Sequence, residues 1–311
     1  MIETRQVLGN RYFLTSARVL TLAALLLIAG CADVFFAVVD SLESSNNVQR
    51  HGGIVFDAKR KLALDVYRPL HAKNAPIVVF FYGGSWTSGE RRWYRYIGDA
   101  LAENGVVTFI PDYRKYPQVR FPAFVYDAAR AVAWVHRNAK KYGGDPHRLF
   151  VMGHSAGGHI AAMLATDKRY LNAVGMKMRE LSGFIGIAGA YSFERYVESE
   201  PEIFGNTRQS QFDSQPVNFV DGDEPPMLIL QGEDDHEVEP DNAKTLYARA
   251  IAACDTATLK LYPHTGHAAI ALAYARGDHG YATSLADTLA FIANRQPQGC
   301  ASNPSAKIRS P

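Results

Sequence analysis

Residues 149–160 read Leu-Phe-Val-Met-Gly-His-Ser-Ala-Gly-Gly-His-Ile. An apolar run, 149–152, ends at Gly153, and Ser155 then stands between Gly153 and Gly157. A small-residue stretch from Ala156 to Ala165 reads as a helix. A serine in such a strand-to-helix turn either caps the helix or is a nucleophile. The order strand, Gly-His-Ser-Ala-Gly, helix favours the nucleophile, because it is the G-x-S-x-G elbow in the context that the motif needs. The turn strains the serine backbone, so its neighbours must be small. The hydroxyl then projects from the carboxyl end of a central strand, beside a helix N-terminus whose free N–H groups and dipole favour an oxyanion.

Outward from this turn, strands and helices alternate. Residues 54–56 and 62–67 flank a polar Asp-Ala-Lys-Arg-Lys turn and read as a hairpin. Residues 77–81 (Ile-Val-Val-Phe-Phe) form a continuous apolar run, the pattern of a strand covered on both faces. A helix is predicted over 93–103 and a second buried strand over 106–110. A long helix starts at Pro122, where a missing N–H costs nothing, and runs to Tyr142 before Gly143-Gly144. Strands at 184–188, 227–230 and 258–262 follow, with helices from about Asn242 to Ala252 and up to about Asn294. This alternation predicts an α/β fold with a mostly parallel central sheet and helices on both faces. Residues 190–222 break the pattern: Tyr191, Phe193, Tyr196, Phe204, Phe212 and Phe219 have no clean period. They read as a small insertion over the C-terminal strand ends, either a cap or a substrate loop. Nothing within 51–295 looks like a linker, so that stretch is one domain.

The chain has 311 residues, 47% of them hydrophobic and 21% charged, with a net charge of +2. Nothing in that balance suggests a basic nucleic-acid surface. Residues 296–311 read as a flexible tail. At the other end, Arg5, Arg11 and Arg18 precede an apolar run from Val19 to Ala29 that is too short to span a bilayer comfortably. Residues 1–30 are therefore expected to be a signal peptide. Ile28-Ala29-Gly30-Cys31 resembles the lipobox of bacterial lipoproteins. The resemblance implies that Cys31 is lipidated and opens the mature chain, with 31–50 as a tether. The chain would then be exported and lipid-anchored in a bacterial cell envelope, at the outer membrane or the periplasmic face. The alternative is a plain signal anchor with Cys31 an ordinary apolar residue. Cys254 and Cys300 remain, and in an oxidising compartment they either pair or stay free.

A serine needs a base, and the base needs an orienting acid. After the strand at 227–230 come Glu233, Asp234 and Asp235; after the strand at 258–262 come His264 and His267. Residue order alone leaves these choices open. His264 and His267 also have H-x-x-H spacing, but no third ligand sits at helical spacing, so no metal is expected.

Four further motifs narrow the choice. Tyr82-Gly83-Gly84-Ser85-Trp86 follows an early strand; Asp112-Tyr113-Arg114 precedes Phe121-Pro122-Ala123; Gly232 to Val238 reads G-E-D-D-H-E-V; and a glycine stands directly before His267. With these, residues from about Pro76 to His267 resemble the α/β-hydrolase esterases. The likeness is strongest to the branch of hormone-sensitive-lipase-like carboxylesterases, prenylcysteine methylesterases and arylformamidases. The resemblance implies that Asp235 is the acid, ahead of Asp234, and that His267 is the base. It implies an oxyanion hole from Gly83 and Gly84, joined by the amide of Ala156. Tyr82 departs from the family's usual His and is expected to hold the loop by hydrogen bonding. Trp86 and Tyr191 are expected to line the substrate pocket. His154, His159, Asp112 and Asp127 read as structural.

The expected activity is that of a serine carboxylesterase acting on short- to medium-chain esters of small molecules through an acyl-enzyme, without a cofactor. An amide hydrolase of the arylformamidase type and a non-catalytic binding lipoprotein on the same fold are the two alternatives.

Overall fold

The computed structural model describes residues 47–192, 200–275 and 282–294. The expected signal peptide, Cys31 and the tail at 296–311 lie outside the described residues. β1 (Val48–Asp57) and β2 (Leu62–Pro69) form the antiparallel hairpin, so the first strand begins inside the stretch expected to be a tether. β3 (Ala75–Phe81), β4 (Val107–Pro111), β5 (Gly144–His154), β6 (Gly183–Ile187), β7 (Met227–Gly232) and β8 (Ala257–Tyr262) complete the sheet. Its eight strands run in the order β1-β2-β4-β3-β5-β6-β7-β8. β2 pairs antiparallel with β4, and every pair from β4 to β8 is parallel. Along β3 every residue except Pro76 is buried, as the continuous apolar run predicts. β8, at the edge, instead alternates in exposure.

The helices are α1 (Arg95–Glu103), α2 (Ala123–Asn138), α3 (Ala156–Thr166), α4 (Lys168–Asn172), α5 (Glu200–Phe204), α6 (Arg208–Asp213), α7 (Asp241–Ala252), α8 (His267–Leu272) and α9 (Ser284–Ala293). The helix predicted over 93–103 is divided into a 3₁₀ turn, Arg91–Tyr94, and α1. The predicted insertion contains α5, α6 and a 3₁₀ turn, Pro216–Phe219. α3 is buried along its whole length, which its small and apolar side chains permit. Asp127 on α2 is structural: its fully buried carboxylate accepts from Arg114 Nε at 2.7 Å and Nη2 at 2.8 Å. Cys254, just past α7, is disulfide-bonded, while Cys300, whose pairing with it the sequence left open, lies outside the described residues.

This topology places the loops after β3, β5, β7 and β8 at one end of the sheet. In open parallel sheets that carboxyl end is where sites form. No helix among the described residues is long and apolar enough to cross a membrane.

Candidate active site

Ser155 sits between β5 and α3 with φ 55° and ψ −123°. A non-glycine residue in such a conformation costs on the order of 1–3 kcal/mol and persists only where its surroundings over-determine it. The surroundings here are tight backbone packing. A Cβ on Gly157 would run into the Phe81 carbonyl, and one on Gly153 into the Gly157 carbonyl. The small flanks read from the sequence are thus a requirement of strand-to-helix closeness. The Ser155 amide donates to the Ile187 carbonyl at 3.0 Å, which fixes the turn against β6.

Asp235 and His267 come together after β7 and β8. His267 Nδ1 lies 2.8 Å from Asp235 Oδ2. The same oxygen accepts from Gln231 Nε2 at 3.0 Å, while Oδ1 accepts from the amides of Val238 at 2.9 Å and Glu237 at 3.0 Å. Burial pushes the Asp235 carboxyl upward, but the bonds from His267, Val238 and Glu237 outweigh it and hold the pKa below the ordinary carboxylate value. Asp234 and His264 point elsewhere. They lie 3.9 Å apart on the surface, with side chains 60% and 73% exposed. Gln231 was not singled out from the sequence; the available signal was a polar residue at the buried end of the Met-Leu-Ile-Leu run.

The loop after β3 curls around one carbonyl: the amides of Thr87 and Ser88 donate to Gly84 O at 3.0 and 2.9 Å. Gly84, Ser85 and Trp86 all have positive φ, at 131°, 50° and 58°. Gly83, expected in the oxyanion hole, lies against the Tyr94 phenol: a Cβ there would come within 2.9 Å of Tyr94 Oη. Among the described residues, the amides of Gly84, Ser85 and Ala156 meet no acceptor. Ser85 and Ala156 front the same cleft as Ser155. Tyr82 secures the loop from behind. Its hydroxyl donates to Asp112 Oδ1 at 3.4 Å and accepts from Lys115 Nζ at 3.1 Å, and Lys115 also reaches Gly89 O at 3.1 Å.

The insertion docks on the same loop. His159 Nδ1 accepts from the Trp86 indole at 3.1 Å, and Nε2 donates to Ser214 O at 2.8 Å. Burial holds the His159 pKa down at about 4, so the ring stays neutral. Phe204 packs edge-on to Trp86, with ring centroids 4.8 Å apart, and is itself buried.

Ser155, Ala156 and His267 line a cleft of about 1250 Å³. Trp86, Ala190 and Ile203 supply apolar wall, whereas Glu237, Glu239, Asp241, Lys244 and Arg249 supply charged wall along the start and outer face of α7. Tyr191 does not line it. Its ring is fully buried, packs against Phe184 at 6.1 Å and lies over Gly186 and Gly189, so only its neighbours Ala190 and Ser192 reach the cleft. A second cavity of about 670 Å³ lies beside β1 and β2, away from these groups; of its cations, Arg50 pairs with Asp99, and Arg91 with Asp65 and Asp112. Among the described residues, no group of three or more His, Cys, Asp or Glu is arranged to hold a metal ion.

Several known proteins are similar to this chain. The chain is 29% identical over 289 residues to an isoprenylcysteine alpha-carbonyl methylesterase of Arabidopsis thaliana, covering 84% of this chain and 65% of that protein. It is 30% identical over 233 residues to esterase LipC of Mycobacterium tuberculosis, covering 66% of this chain and 56% of that one. It thus spans about two thirds or less of the length of these relatives. Among solved structures, an inhibited esterase B from Lactobacillus rhamnosis superposes with a TM-score of 0.73 at 18% identity, covering 88% of this chain and 95% of that one. A truncated carbohydrate esterase from gut microbiota superposes at 0.70 and 20% identity, covering 80% and 97%. At such identities the likeness speaks to the fold, which is the α/β-hydrolase fold. Residues 64–250, more than half of the sequence, match the BD-FAE family. The chain belongs to the BD-FAE family.

Proposed function

We propose that the chain is a serine carboxylesterase that cleaves short- to medium-chain esters through an acyl-enzyme. The observation that carries this reading is a serine with φ 55° fronting the same cleft as a histidine whose Nδ1 is bound by a buried carboxylate at 2.8 Å. The names of the relatives, methylesterase and esterase, support it.

In this mechanism, His267 Nε2 takes the proton of Ser155 Oγ as Oγ attacks the ester carbonyl carbon. The carbonyl π electrons move onto oxygen, where the amides of Ala156, Ser85 and Gly84 receive the charge. Collapse breaks the bond to the alcohol oxygen, which leaves with the proton from the imidazolium. Water then repeats the sequence on the acyl-enzyme. Asp235 holds the proton on Nδ1, so that Nε2 faces Ser155 as an acceptor. The apolar wall of Trp86, Ala190 and Ile203 is short before the charged α7 surface begins, which supports a small acyl group.

Intact-mass analysis after fluorophosphonate treatment tests the reading. The wild type should gain one adduct and Ser155→Ala none, with hydrolysis of p-nitrophenyl butyrate falling about 10⁴-fold or more in the variant. An unlabelled wild type, or one that cleaves only N-formyl aromatic amides, refutes the esterase assignment.

We also propose export and lipid anchoring at Cys31, supported by the arginines before the apolar run and by Ile28-Ala29-Gly30-Cys31. Cys31→Ser should leave the precursor unprocessed and remove the mature chain from membranes. A variant that still fractionates with membranes at mature size refutes the anchor.

A further inference from the structure

His154, the last residue of β5 and the neighbour of Ser155, is placed so that both of its ring nitrogens are used. Nε2 lies 3.1 Å from the main-chain oxygen of His267, and Nδ1 lies 2.9 Å from Tyr94 Oη. A carbonyl only accepts, so Nε2 carries the proton and donates. Nδ1 is then an acceptor, and the Tyr94 hydroxyl donates to it. The Tyr94 oxygen in turn lies against Gly83 of the loop, where a Cβ would come within 2.9 Å of it. The chain of bonds runs from Tyr94 O–H through His154 to the His267 carbonyl. The carbonyl end can only accept, so the direction of both bonds follows.

We propose that His154 is a positioning residue of the triad, joining the main chain of His267 to the oxyanion loop through Tyr94. The proposal rests on the hydrolase reading and adds a role to a histidine that the sequence suggested was local packing. The relay spans parts of the chain that are far apart, since its two ring bonds join residues 60 and 113 positions from one another. It is dry, with Tyr94 8% and His154 5% exposed. It is also compressed against the elbow: a Cβ on Gly83 would lie 2.9 Å from Tyr94 Oη, 3.1 Å from His154 Nδ1 and 3.1 Å from Ser155 Cβ. Asp235 fixes the His267 ring by its Nδ1 edge, and His154 fixes the same residue by its backbone. Two anchors fix the place of His267 in the cleft it shares with Ser155, whereas the carboxylate alone leaves the backbone free to shift. Misplacement of about 1 Å at such a centre costs about 10²-fold in rate.

The charge state agrees with the role. Burial and the neighbouring His267 hold the His154 pKa down at about 3. The two rings lie 4.8 Å apart, centroid to centroid. A neutral His154 adds no like-charge repulsion when His267 becomes imidazolium during acyl transfer.

The test uses the full chain, with kcat normalised to fluorophosphonate-titrated sites so that misfolded protein does not count. His154→Leu keeps apolar volume and removes both bonds. Its kcat per site should fall about 10- to 100-fold, with KM within about twofold. His154→Gln restores a donor toward the His267 carbonyl and should recover to within about fivefold of wild type. Tyr94→Phe removes the far bond and should lower kcat about three- to tenfold. A His154→Leu enzyme whose kcat per site stays within about threefold, losing only melting temperature, overturns the positioning role. So does a His154→Gln enzyme as impaired as His154→Leu. If the leucine variant does not fold, a Tyr94→Phe enzyme with wild-type kcat overturns it instead. A wild type that takes up no fluorophosphonate overturns the hydrolase reading and this proposal together; a labelled wild type beside an unimpaired His154→Leu overturns the positioning role alone.

Discussion

Replacing Asp235 by Asn separates the two candidate acids, and the contacts around the carboxylate predict the result. Oδ2 faces the His267 and Gln231 donors; Oδ1 faces the amides of Glu237 and Val238. An Asn side chain must put its NH₂ in one of those places. With NH₂ at the Oδ1 position, two donors meet a donor, and neither backbone amide can yield. With NH₂ at the Oδ2 position, Gln231 loses its acceptor, but His267 can adapt by moving its proton to Nε2 and accepting at Nδ1. The second arrangement keeps one more hydrogen bond, worth about 1 kcal/mol, and is favoured. It leaves Nε2–H facing Ser155, a donor where an acceptor is required, and removes the negative charge that stabilises the imidazolium. The expected loss in kcat/KM is about 10⁴-fold, or about 5.5 kcal/mol at 1.36 kcal/mol per decade. Asp234→Asn is the control. Its exposed carboxylate, 3.9 Å from an exposed His264, should change kcat/KM by no more than about twofold. The assay is hydrolysis of p-nitrophenyl butyrate by variants matched for folded protein by circular dichroism. A damaging Asp234→Asn, or an Asp235→Asn enzyme within about tenfold of wild type, would falsify the assignment of the acid.

Gly157→Ala should cost about 3 kcal/mol in urea unfolding or abolish soluble expression, because the new methyl meets the Phe81 main chain rather than a flexible side chain; unchanged stability would contradict the packing described. Asp255, buried next to Glu224, has its pKa raised by burial and by that neighbouring carboxyl from 3.8 to about 8. The folded chain therefore keeps a proton that the unfolded chain has released, so stability should decline as pH rises from about 4 through about 8. Asp255→Asn should flatten that decline in melting temperature, and a slope equal to that of wild type would exclude Asp255 as its source. Across p-nitrophenyl esters, kcat/KM should rise from acetyl to butyryl by about fourfold per methylene, at about 0.8 kcal/mol each, and should fall by decanoyl. A long-chain optimum with interfacial activation would mean that the short apolar wall is not the acyl site.

Local pattern was enough for the frame of this protein. Continuous apolar runs such as Ile77–Phe81 mark strands buried on both faces, and helical periods between them require a parallel sheet. The elbow is also local, since Gly153, Ser155 and Gly157 lie within one turn and the need for small flanks follows from their spacing. Where contacts span distant parts of the chain, residue order by itself left the choice open. Asp234 and Asp235 are adjacent; the family motif pointed to Asp235, and the turn after β7 supplies the physical reason, since Asp235 faces inward to His267 while Asp234 faces solvent. Tyr191 has the look of a pocket aromatic, yet the gap over Gly186 and Gly189 draws its ring into the core. Phe204 is likewise taken up by packing on Trp86, which leaves the cleft more charged than the insertion's composition suggests. A hydrogen bond is satisfied by whichever partner the tertiary fold brings within reach, so the residues near Ser155 were legible in sequence, but their partners were set by the chain's path across the sheet.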